Sequence, residues 1–153
     1  MDSPLIDSTL DVRFARVGDE AGLEHLYGQL APDYIGDPEA MRQALVLLQS
    51  QSTYGGVVVA AVDDLIVGTC QIVVFENLVR SPQRRAIIES VVVDAAWRHQ
   101  GVGRRLLVFA VGFARSTNCA KVCIVSGHHW LEVYGFVEDL GFSHYKHGYV
   151  LNC

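Results

Sequence analysis

Hydrophobic residues recur along this chain in two rhythms, and the switches between them predict its elements. Residues 12–16, Val-Arg-Phe-Ala-Arg, alternate like a strand. Leu23, Leu26, Tyr27 and Leu30 then recur at helical spacing, with Asp19 placed as the N-cap. Turn formers fill 31–37. A second helix starts at Pro38, where proline costs least, and turns Met41, Leu45, Leu47 and Leu48 inward. Gly55-Gly56 ends it. Residues 57–62 and 65–75 read as two strands joined at Asp63-Asp64, and Gly68 marks a bulge or close packing. Residues 77–85 form a polar, arginine-bearing loop. Residues 86–94 are the next strand, and its valine run suits a buried position. Leu106, Leu107, Ala110, Val111 and Ala114 give a helix over about 102–116. A strand over 121–126 follows, then a short helix over 130–140 with Gly141 as its C-cap. Residues 142–151 supply one or two closing strands. The order β-α-α-β-β-β-α-β-α-β predicts an α/β fold, with a mixed, mostly antiparallel central sheet flanked by helices.

The junction after the valine run organises the chain. It enters the long helix through Arg98-x-x-Gly101-x-Gly103. Glycines let backbone approach a ligand closely, and the first turn of a helix leaves N–H groups unpaired. Such groups suit an anion, most often a phosphate, and Arg98 and Arg104 flank them. Glycines alone would fit any tight strand-to-helix connection. Here the strand, the arginine, the glycine spacing and the amphipathic helix agree, which favours phosphate. A dinucleotide fingerprint needs a third glycine where Leu106 stands, and no Gly-Lys-Ser/Thr triplet occurs.

Composition narrows the partners. The 153 residues read as one domain over 1–153, with 1–11 as a flexible leader. A net charge of −5 and a pI of about 5.6 argue against nucleic acid. The start lacks a signal peptide's basic end and apolar run, and the longest apolar run, 106–114, contains Gly112 and is too short to span a membrane. A cytoplasmic protein is expected. Cys119 and Cys123 have zinc-ligand spacing and His128-His129 follow. Cys123, however, lies in a β-branched run that favours a core role, as does Cys70, and no metal site is expected.

The stretch from Val91 to Arg104 resembles the acetyl-CoA-binding motif of the GNAT superfamily of N-acetyltransferases, Arg/Gln-x-x-Gly-x-Gly/Ala after a valine-rich strand; Arg98, Gly101 and Gly103 match in place. The element order resembles the acyl-CoA N-acyltransferase fold from end to end. Residues 119–142 are also similar to glucosamine-phosphate N-acetyltransferases, though no sugar-phosphate contacts can be identified. The resemblance implies direct transfer of an acetyl group from acetyl-CoA, as cosubstrate, to a primary amine of a small molecule. It implies that Arg98, His99, Gln100, Gly101, Val102, Gly103 and Arg104 hold the CoA diphosphate. Val91, Val92 and Val93 would line the pantetheine arm, backbone groups of Val91 and Val93 pairing with it like an added strand.

Two positions bear on catalysis. Strand alternation puts Glu89 on the face of Ile87 and Val91, where partial burial would raise its pKa and suit it to take a proton through water. Otherwise it faces solvent or pairs with Arg84 or Arg85. The family's C-terminal signature carries a tyrosine, in many members the proton donor to the departing sulfur, where this chain has Val137. Tyr134 lies three residues earlier on about the same helix face, as a substitute acid or a packing residue. His128-His129 read as a solvated loop. Val137 keeps a second class open, a CoA-binding sensor without catalysis. A protein lysine or N-terminal acetyltransferase is a further alternative. The hairpin over 57–75 and the apolar composition point to a homodimer.

Overall fold

The computed structural model describes residues 9–79, 83–126, 130–144 and 148–153, the side chains of 130–134 excepted. A strand covered on both faces needs apolar residues without alternation. The run Gly-Gly-Val-Val-Val-Ala-Ala-Val is buried almost end to end and forms the strand β2 (Gly55–Val62). It lies between β1 (Leu10–Phe14) and β3 (Leu65–Asn77), both antiparallel to it. Next come β4 (Gln83–Val93), antiparallel to β3, and β5 (Cys119–Ile124), parallel to β4. The sheet order is β1-β2-β3-β4-β5, the mixed, mostly antiparallel arrangement expected.

Helices divide between the two faces. On one face lies α3 (Val102–Ser116), whose Leu106, Leu107 and Ala110 are fully buried with Val58, Ala60, Cys70, Ile72, Ala86 and Ile88. α4 (Trp130–Asp139) adds Val137 to that cluster. On the other face α1 (Glu20–Leu30) and α2 (Pro38–Ser50) bury Leu23, Leu26 and Leu45 against Val57, Val59, Ala61, Ile66 and Val92. Gly68 serves both expected ends. The register shifts beside it, and a Cβ there would lie 2.9 Å from Val102 Cγ1.

Several boundaries differ from the reading of the sequence. β1 begins at Leu10 and ends at Phe14, so residues 10 and 11, expected in a leader, belong to the sheet; Leu10 is buried and pairs with Val62. Leu47 is exposed, because Met41, Leu45 and Leu48 already make the inward stripe. Gly55 and Gly56 open β2 opposite Val73 and Ile72 instead of closing a helix. The loop expected over 77–85 is shorter, since β3 runs to Asn77 and β4 starts at Gln83; Arg84 Nε bonds Glu76 Oε1 across the ladder at 2.8 Å. β5 starts at Cys119 and ends at Ile124. The described parts of 142–151 contain no strand, and Tyr149, Val150 and Leu151 stand in solvent. Cys70 is core as expected, whereas Cys123 is half-buried and belongs to neither cluster.

Asp19 sits at the N-cap position of α1 but its side chain does not cap. It turns back to accept from Arg13 Nη1 and Nη2 at 2.7 and 2.9 Å and from the Arg16 N–H at 2.8 Å. Burial pushes its carboxyl pKa up, but these bonds outweigh burial and hold it below the usual carboxylate value. A depressed folded-state pKa stabilises above the ordinary value and loses that effect as pH falls through the folded value. Asp19→Asn should therefore cost about 2 kcal/mol at neutral pH. Chemical denaturation should show the gap to the parent protein narrowing below pH of about 4.

Candidate active site

β4 outgrows its neighbour. Its pairing with β5 ends at Ile88 opposite Ile124, followed by the Val125 N–H bonded to Ile88 O at 2.8 Å. β4 continues through residues 89–93 with β3 alone beside it among the described residues. A bulge lies at the divergence. Gln71 pairs with Glu89 and Thr69 with Val92, so Ser90 and Val91 together face Cys70. Ser90 holds φ +53°, an uncommon value for a non-glycine residue. The extra residue reverses the alternation. Ala86 and Ile88 face α3, and so do Val91 and Val93, while Val92 turns to α1.

This settles the direction of the backbone groups. The Asp94 N–H bonds Val67 O on β3 at 2.9 Å. The N–H and C=O of Val93 therefore point away from β3, and those of Val91 do likewise by alternation. Val92 turns its backbone to Thr69. The three valines thus divide: two offer backbone to the open edge, and Val92 spends its backbone inside the sheet.

Beyond β4 the chain makes a braced turn. Asp94 Oδ1 accepts the Ala96 N–H at 2.8 Å, closing a single 3₁₀ turn over Ala95–Trp97. From α1, Gln29 Nε2 donates to Asp94 Oδ2 at 2.9 Å and Gln29 Oε1 accepts the Ala95 N–H at 3.0 Å. His25 Nε2 lies 2.8 Å from the same carboxylate. Burial raises the Asp94 pKa, but Gln29, the Ala96 N–H and His25 together hold it below the ordinary value. Sequence reading missed this brace. Asp after a strand is a turn signal, but partners 65 to 69 residues away leave no local pattern.

The turn ends in an uncapped helix. Arg98 Nε donates to Val93 O at 3.1 Å, and Gln100 Nε2 to Ala96 O at 3.1 Å. His99 and Gly101 both hold positive φ, +59° and +85°. Gly101 is the N-cap of α3 and has no side chain to offer. The Arg105 N–H is the first to bond back, to Gly101 O at 3.0 Å. The N–H groups of Val102, Gly103 and Arg104 precede it and are the helix's unpaired donors. No acidic residue neutralises this first turn. A Cβ at Gly103 would lie 3.3 Å from Phe136 Cζ and 3.6 Å from Val93 Cγ2, so the surface there is close-set. The arrangement suits a diphosphate followed by an extended amide chain.

Glu89 stands on the α1 side of β4 beside Ile87, but Val91 does not share that face because of the bulge. Glu89 is exposed, not partly buried: on β3 and β4 the cover from α1 ends at Thr69 and Val92. The alternative pairing with Arg84 is excluded, since Arg84 bonds Glu76. Val137, expected at the signature's tyrosine position, is 5% exposed and built into the core. Tyr134 falls in α4, and its side chain lies outside the described residues, as does that of Trp130. His128 and His129 also lie outside them. Cys119 packs with the α3-side core, while Cys123 sits beside Ile87 on the other face, so the two do not converge.

The family model described as Acetyltransferase (GNAT) family matches residues 23–142. Over 77 residues the chain is 34% identical to a glucosamine 6-phosphate N-acetyltransferase of Trypanosoma brucei brucei; the match spans 50% of this chain and half the length of that relative. A solved structure assigned as an acetyltransferase, from Agrobacterium tumefaciens str. C58, superposes with a TM-score of 0.83 at 30% identity, covering 94% of this chain and 99% of its own. The glucosamine-6-phosphate N-acetyltransferase of Arabidopsis thaliana superposes at 0.84 with 22% identity, covering 94% and 98%, and shares the fold.

Proposed function

Because the chain belongs to the GNAT acetyltransferase family, we propose that it moves an acetyl group from acetyl-CoA directly onto a primary amine of a small molecule. The observation that carries this reading is the divergence of β4 from β5, which leaves outward backbone at Val91 and Val93 leading to the uncapped start of α3. The N–H groups of Val102, Gly103 and Arg104 hold the diphosphate, with Arg98 anchored beside them on Val93 O. His99 and Gln100 shape the turn, and Val92 secures β4 beneath it. Val91 and Val93 pair with the pantetheine arm as a strand would. An outward N–H there also polarises the thioester carbonyl.

Acetyl-CoA supplies an activated acyl group on a thiolate leaving group, and thiols ionise near pH of about 8.5. Glu89 takes the proton of the incoming ammonium through water, which its exposed position admits. Val137 has no proton to give, so the sulfur leaves as thiolate or takes its proton from solvent or Tyr134. A small acceptor is supported by the named substrate of the Trypanosoma relative. Four free thiols accord with a reducing, cytoplasmic setting. A homodimer is part of the same reading, supported by exposed Leu78 and Val79 beyond the end of β3. The buried Val137 favours one second reading, a CoA-binding sensor without turnover.

Calorimetric titration with acetyl-CoA, run beside a thiol-release assay over a panel of amines, separates the two. Binding with release for at least one amine is expected. Binding with no release for any amine supports the sensor.

A further inference from the structure

Among the described residues, α1 and α2 do not pack on the part of β3 and β4 below Glu89, and its residues fall into three rows. The first pairs Gln71 with Glu89. The second sets Val73, Ile87 and Cys123 abreast, and the third Phe75, Arg85 and Lys121. Residues opposite each other in a sheet point to the same face. Val73 and Phe75 are 41% and 36% exposed, so this floor is open to solvent. Its chemistry is graded: a carboxylate at one end, an apolar middle, and two cations at the other.

Arg85, at the basic end, is in no ion pair among the described residues. The neighbouring Arg84 bonds Glu76. Arg85 Nε is shielded from solvent and meets no hydrogen-bond partner there. That Nε is out of an anion's reach, but a guanidinium carries further N–H donors in a planar fork, and an anion offers them acceptors. Lys121 stands beside it across the parallel ladder. Glu89 and Arg85 are four residues apart on β4, about 13 Å of strand, less what the long basic side chains reach back.

Resting on the acetyl-transfer reading, we propose that the acceptor is an amine bearing an anionic group, carboxylate or phosphate, beyond an apolar spacer. Its ammonium meets Glu89, its spacer crosses Val73 and Ile87, and its anion is held by Arg85 and Lys121. A free diamine of the same length fits poorly, since its second ammonium would meet two cations.

The test is thiol release with matched acceptors: 6-aminohexanoate and 8-aminooctanoate, 6-aminohexyl phosphate, the plain alkylamines, and the α,ω-diamines. Wild type should prefer an anion-bearing acceptor over its plain alkylamine by at least about tenfold in kcat/KM. The carboxylate and phosphate arms tell which anion is taken. Arg85→Gln and, separately, Lys121→Gln should shrink that ratio, and Arg85→Glu should turn the preference toward the diamine. Equal use of charged and plain amines by wild type, or a ratio untouched in all three variants, overturns the proposal while leaving acetyl transfer standing. No release with any amine overturns both.

Discussion

Replacing Glu89 with glutamine is expected to lower kcat at neutral pH by roughly 10²–10⁴-fold while leaving acetyl-CoA affinity unchanged. The substitution keeps the side chain's shape and removes only its capacity to accept a proton. Glu89 stands just before the bulge, on the face opposite Val91 and Val93, so its loss does not touch the backbone assigned to the pantetheine arm. Its carboxylate is exposed and makes no ion pair among the described residues, so no partner is left stranded by the change. Steady-state thiol release at saturating acetyl-CoA, with calorimetry on the same variant, separates chemistry from binding. An unaltered kcat would remove Glu89 from the role of base.

The second large effect is on binding. Valine at Gly101 or Gly103 should weaken acetyl-CoA affinity by at least about tenfold, and the double variant by more. Gly101 holds φ +85°, where a β-branched residue costs roughly 1–2 kcal/mol or more. The turn relieves that strain by moving, which carries the donors of Val102 to Arg104 off their target. At Gly103 the difficulty is space, since Phe136 and Val93 already stand within contact distance of a single added carbon. Calorimetry reads the affinity, and thermal melting of each variant reports whether the fold survives. Unchanged affinity in a folded variant would contradict the phosphate-loop assignment.

Much of this architecture was legible because its causes are local. The valine run, the glycine spacing and the apolar stripe of α3 each carry their signal within a few residues. The bulge at Ser90 does not, because serine gives no sign that it will take φ +53°. A one-residue slip exchanges the faces of everything beyond it, which is why Val91 was expected beside Glu89 and lies opposite. The earlier start of β4 depends on Arg84 meeting Glu76 across the ladder, and the brace on Asp94 depends on α1; both are long-range. The closing strands expected over 142–151 have no counterpart among the described residues. A strand needs a neighbouring strand, and none of the described residues of that stretch joins the sheet.

The anion floor shows the same division. In the sequence Glu89 stands out as a charge within an apolar run, but Arg85 reads as part of a polar loop. Only the extended ladder of β3 and β4 brings Arg85 onto the Glu89 face, two rows below it.

The account turns on where coenzyme A is gripped, and amide NMR spectra recorded on adding acetyl-CoA examine that residue by residue. The N–H signals of Val102, Gly103 and Arg104 should move and gain protection from exchange, together with those of Val91 and Val93. If those signals stayed fixed while amides elsewhere in the sheet responded, the ligand would be held at another place and the account would be wrong.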